Sequence, residues 1–136
     1  MAFYRGQQGS VKFEDTGGAT ALITSTRSWS MTVEKESLDT TALGATYRAN
    51  VGGLISGSGT VELLYTASSG DETNAFIEMV NTATDEGAAA FELLLTTGKS
   101  ITFDGVITSA EYSATVGEIE VITVSFVTNG AITLGI

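Results

Sequence analysis

Glu118 and Glu120 stand two positions apart, so a strand through them would carry both carboxylates on one face. A carboxylate pair can hydrolyse a glycosidic bond when one member is held protonated and the other ionised. Here the neighbours are largely β-branched, and a solvated strand face is the better reading. The chain has no histidine and no cysteine, which removes Ser-His and Cys-His nucleophiles, disulfides and thiolate metal sites. A serine–lysine pair is formally available, but no G-x-S-x-G elbow brackets a nucleophile. Gly57-Ser58-Gly59 lacks that spacing and reads as a structural turn or bulge. The stretch Gly52-Gly53-Leu54-Ile55-Ser56-Gly57 has neither the lysine of a phosphate loop nor the aspartate of a calcium-binding glycine repeat. Asp71, Glu72, Asp85 and Glu86 lack the spacing of a calcium loop and suit the ends of a helix better. Trp29 invites sugar stacking, yet it shares its parity with Met31 and Val33, as a core residue would. No catalytic residue, metal ligand or cofactor site is assigned, and the chain reads as non-enzymatic.

The elements around these residues are mostly of period two. Val11 and Phe13 alternate in a short first strand, and residues 19–24 return beside it after a turn at Asp15-Thr16-Gly17-Gly18. Trp29, Met31 and Val33 alternate with Ser28, Ser30, Thr32 and Glu34. Val61, Leu63 and Tyr65 alternate with Ser58, Thr60 and Glu62. Phe91, Leu93 and Leu95 share one face of a later strand, which turns at Thr97-Gly98-Lys99-Ser100 into a return aligning Ile101, Phe103 and Ile107. The last strand region, 111–128, breaks near Gly117. It is apolar on both faces, with Ile119 and Val121 on one and Ile122, Val124 and Phe126 on the other, so both faces should be covered. Residues 129–136 read as a tail. One helical stripe exists: Phe76, Met79, Val80 and Ala83 at spacings of three and four, behind a capping box of Ser69 and Glu72. The spacing predicts a helix over 71–82 with Phe76 buried.

Between the alternating runs 26–36 and 54–66 lies an insert, 37–53, with too few apolar positions for a helix. A loop of that length in a small domain is usually functional or disordered. Thr40, Thr41, Tyr47 and Val51 favour extended structure, so the insert reads as an arm projecting about 25 Å at strand rise. Such an arm cannot bury itself and needs an outside surface. Its apolar anchors would be Leu38, Leu43, Tyr47 and Val51, and Arg48 would offer a cation to acidic groups on a neighbour.

At 136 residues the chain is one domain by length, residues 1–136, with the arm inside it. No run is long enough to span a bilayer as a helix, so membrane insertion is not expected. The N-terminal MAFYRGQQGS has no apolar core of signal-peptide length. Six basic residues against sixteen acidic ones leave a net charge of −10, which should repel free nucleic acid rather than grip it. Proline is absent, so sheet edges need protection by charges, bulges or pairing with another chain.

Four pieces carry a family resemblance: Ser28-Trp29-Ser30-Met31-Thr32, Glu34-Lys35-Glu36, Leu38-Asp39-Thr40-Thr41-Ala42-Leu43-Gly44, and Gly52-Gly53-Leu54-Ile55-Ser56-Gly57-Ser58-Gly59-Thr60. Together they resemble the major tail tube proteins of tailed bacteriophages, in a pattern of strand, arm and glycine-rich return. The resemblance implies an antiparallel two-sheet β-sandwich or barrel with one flanking α-helix and the long hairpin arm, closing a large barrel within a ring. It implies a structural virion protein that forms stacked hexameric rings, is assembled in the host cytoplasm and conducts DNA without reading its sequence. Sheath, baseplate and tail-terminator proteins would be its other partners. Lumen-facing acids would come from the polar parity of long strands: Glu34, Glu62, Glu118 and Glu120. A carbohydrate-binding or adhesive β-sandwich is the alternative, and an acidic-site hydrolase a weaker third.

Overall fold

A computed structural model describes residues 9–14, 21–23, 26–65, 76, 78, 81, 89–96 and 98–136. They form seven strands: β1 (Ser10–Glu14), β2 (Ala21–Leu22), β3 (Thr26–Asp39), β4 (Asn50–Leu64), β5 (Ala89–Thr96), β6 (Lys99–Ser113) and β7 (Val121–Gly135). All pair antiparallel in one sheet of order β2-β1-β5-β6-β7-β4-β3. Among the described residues the expected two sheets are therefore one continuous sheet, open at β2 and β3.

The two long strands β6 and β7 explain why. The first half of β6 pairs with β5 and with the last part of β7 (Ile101↔Leu134, Phe103↔Ile132). The second half of β6 pairs with the first part of β7 (Ile107↔Phe126, Ala110↔Val124), which continues to β4 through Val61↔Val124 and Gly59↔Phe126. Between the halves the register slips from Phe103↔Ile132 to Gly105↔Thr128, and Gly130 takes φ 93°. A bulge of this kind bends a sheet and re-aims its side chains. At the bend, a Cβ on Gly105 would come within 2.7 Å of the Val127 carbonyl oxygen and 3.1 Å of the Phe91 ring, so only glycine fits.

The bend brings aromatics from both halves together. Phe91 stacks on Phe103 (centroids 5.0 Å apart) and lies 5.2 Å from Phe126, while Phe13 meets it edge-on at 5.1 Å. Val11, Val61, Leu63, Leu93, Ile107, Ile122 and Val124 complete a single core. The expected parities hold in β1, in the body half of β4 and for Ile122, Val124 and Phe126 in β7. Phe76 is fully buried and meets Phe13 at 5.0 Å, with Glu78 exposed and both in helical conformation. The rest of the expected helix, the acids 71, 72, 85 and 86, and the turn at 15–18 lie outside the described residues.

Several boundaries differ from the sequence reading. Residues 129–135 are not a tail but the end of β7, paired to β6. Leu95 is exposed because the β5–β6 register shifts between Leu94 and Thr96. Tyr65 follows the end of β4 and is also exposed. The β7 strand begins only at Val121, so Ile119 sits in a loop with Gly117 at φ 85°, and Val121 is half-buried: one face of β7 is covered, not two. The predicted turn at Gly98 is present, with φ 82°.

Candidate assembly surface

The arm is a ladder rather than a loop. β3 and β4 stay paired through Glu34↔Ser56, Ser37↔Gly52, Leu38↔Val51 and Asp39↔Asn50, with one register shift between Lys35 and Ser37. The glycines make this possible. Lys35 lays its stem over Gly52, where a Cβ would meet its Cδ at 2.9 Å, and Phe126 lies 2.7 Å from the position of a Cβ on Gly59. Only the tip, 40–49, is unpaired in the ladder. Asp39 Oδ1 accepts the Thr41 N–H at 2.8 Å; the Thr41 hydroxyl accepts the Ala49 N–H at 2.7 Å; the Thr40 N–H donates to the Ala49 carbonyl at 2.8 Å. Gly44 turns the chain with φ 85°. Hydrogen bonds from Thr41, the side chain first and the backbone N–H second, hold the Asp39 carboxyl below the usual aspartate value.

Every residue from 32 to 52 is exposed. Eight residues of β3, from 32 to 39, carry the tip about 25 Å out at strand rise. All five expected arm residues lie on this projection. Leu38 and Val51 face each other as one exposed pair, and Leu43 and Tyr47 stand in solvent at the tip, 106% and 87% exposed. Arg48 is exposed beside them and has no ion-pair partner among the described residues.

At the body end of the same hairpin lies a cleft of about 410 Å³, lined by Tyr65, Tyr112, Ser113, Ala114, Glu120 and Ile122. The Tyr65 N–H donates to the Glu120 carbonyl at 3.0 Å, tying the loop before β7 to the end of β4. Val116 and Ile119 on that loop are exposed, and the Glu118 N–H closes its turn on the Thr115 carbonyl at 3.1 Å. A second cleft of about 430 Å³, with Glu92 and Asp104 in its lining, sits near the bend.

The body half of β3-β4-β7-β6 shows a third feature. Opposite its core rows, Trp29-Val61-Val124-Ala110 and Met31-Gly59-Phe126-Ile107, the sheet presents Ser28-Glu62-Thr123-Glu111 and Ser30-Thr60-Ser125-Ser109. Ser30 and Thr60 share a hydrogen bond at 3.1 Å. Of the four expected lumen acids, Glu62 lies in this face, 3.5 Å from Arg27, and Glu34 shares its parity further out on the arm. Glu118 and Glu120 do not share it: both are exposed in the loop before β7, because the break at Gly117 extends to Val121. Glu111 belongs to the face and was missed, although the alternation of Ser109 and Glu111 with Ala110 was its signal. Trp29 and Met31 are partly buried against the core, which takes Trp29 away from sugar stacking.

No family model and no curated protein matches the sequence. Solved structures do match its fold. The tail of an empty gene transfer agent particle, refined with C6 symmetry, contains a chain 18% identical with a TM-score of 0.80, covering 96% of this chain and 97% of that one. The SPP1 tail tube gives 19% identity and a TM-score of 0.76, over 98% of this chain and 80% of that one. The sheath/tube terminator of an extracellular contractile injection system gives 12% identity and 0.68, over 98% and 96%. The fold of this chain is that of tail tube subunits.

Proposed function

We propose that this chain is a structural, non-catalytic subunit of a virion tail tube, built of stacked hexameric rings through which DNA passes. The ordered arm supports this best: a strand ladder held out in solvent with Leu38, Leu43, Tyr47 and Val51 uncovered has no purpose within one copy. The likeness to tail tube chains over nearly the whole length supports the same reading. In the ring, the exposed edges β3 and β2 would be covered by neighbouring copies, which offsets the absence of proline. The hydroxyl-rich face with Glu62 and Glu111 would turn to the channel. Glu34 and the loop acids Glu118 and Glu120 would add to the negative field along the assembly. A wall of hydroxyls and carboxylates hydrates a polyanion's path without binding its phosphates. Assembly would take place in the host cytoplasm, with sheath, baseplate and terminator proteins as further partners, as in the injection systems of like fold.

Negative-stain electron microscopy of the purified protein tests the proposal. Rings or tubes with an open bore are the expected result. A protein that stays monomeric at every concentration and salt would overturn it.

A further inference from the structure

The arm tip and the Tyr65/Tyr112 cleft sit at opposite ends of one hairpin. Fifteen residues of β4 separate them, about 50 Å at strand rise, so the tip cannot enter the cleft of its own chain. The two ends are complementary. The tip offers bare apolar groups, Leu43 and Tyr47, beside a cation, Arg48. The cleft offers two exposed tyrosines over the buried Ile122, with Glu120 in its lining and Glu118 two residues before it on the same exposed loop. Arginine stacks on aromatic faces and pairs with carboxylates, so it suits a site that has both. A contact between two different patches at opposite ends of a molecule is heterologous: it repeats head to tail and continues indefinitely.

We infer that this cleft is the socket for the arm tip of a second copy of the chain, with Leu43 and Tyr47 between the tyrosines and Arg48 on Glu120. The inference rests on the tube proposal and names the surface through which successive rings engage. The loop 114–120, which supplies Ala114 and Glu120 to the cleft, also exposes Val116 and Ile119, and these would give the entering tip further apolar contact.

Charge exchange tests it. Arg48→Glu and Glu120→Arg should each raise the protein concentration needed for tube growth at least about tenfold, as loss of a desolvated charge pair does. The double variant R48E/E120R should recover most of that loss. Combining R48E with Asp104→Arg, in the other cleft, should not. Recovery with D104R instead, or no recovery with E120R while each variant keeps its thermal midpoint, overturns the inference. A second measurement does not depend on charge. The chain has no cysteine, so Leu43→Cys with Tyr112→Cys in one chain should give a ladder of covalent multimers after mild oxidation of assembled tubes. Tubes that form normally yet give no ladder would leave the tube proposal standing and remove this socket. Absence of any assembly by the unmodified chain would remove both.

Discussion

Asp39 squares off the arm tip by accepting the Thr41 N–H. Its folded pKa lies below the 3.8 of a free aspartate. The turn therefore favours the ionised carboxylate: its contribution is complete above pH 3.8 and is lost as pH falls through the lower folded value. Amide exchange at Thr41 and Ala49, compared with exchange in β4, should rise selectively below that window. Asp39→Asn should abolish the pH step while leaving the core unchanged. Two glycines carry a different constraint. A Cβ on Gly59 would strike the Ser30 carbonyl and the Phe126 ring, and one on Gly105 the Val127 carbonyl. Backbone gives way less readily than a side chain, so Gly59→Ala and Gly105→Ala should each cost about 1–3 kcal/mol in a denaturant titration. Phe76→Ala removes a fully buried ring beside Phe13 and should cost about 3–5 kcal/mol.

In the proposed tube, the arm is the element whose removal should separate folding from assembly. Replacing residues 40–49 by a two-residue turn leaves every core side chain in place, since none of the buried groups lies beyond Gly57 on that side. Circular dichroism and the thermal midpoint should be unchanged, while electron microscopy should show no long tubes. Normal tubes from this variant would rule out the arm as the stacking device. Much of this element was legible in the sequence. The alternation at Trp29-Met31-Val33 and Val61-Leu63 located both strands, and the lack of a helical stripe in 37–53 marked the projection. Its ladder was not legible, because pairs such as Ser37↔Gly52 lie opposite each other only once the register shift at Lys35 is known. For the same reason the bend was hidden. Gly105 and Gly130 read as ordinary strand and tail glycines until β6 and β7 are placed side by side. Glu118 and Glu120 have the spacing of a strand face, but spacing cannot tell where a strand begins, and they fell in its entry loop. The cleft joins the β6–β7 connection to the end of β4, which is remote from it in sequence, and that juxtaposition leaves no local pattern.

For the whole molecule the field matters more than any one carboxylate. A net charge of −10 with six cations leaves little basic surface that could hold a duplex against the wall of the proposed tube. Replacing Glu62 and Glu111 by lysine should leave tubes intact by microscopy but retard DNA delivery. The effect should ease as salt shortens the screening length. A solved tube with these two residues on its outer surface, or unchanged delivery by the double variant at low salt, would reassign the face. The Arg27–Glu62 pair is largely exposed, so its loss should barely move the folding midpoint.

The arm and the body are the same two strands, and this determines how the chain meets a load. A pull on the tip along its length runs down β3 and β4 into the seven rungs from Ser58↔Val127 to Leu64↔Val121. Those rungs lie across the line of force and bear it in shear, all together, instead of opening one after another like a zipper. The projection is a tie-rod anchored along those seven rungs of the body, and in the proposed tube traction between successive copies should stretch the assembly long before it pulls an arm out of its own fold.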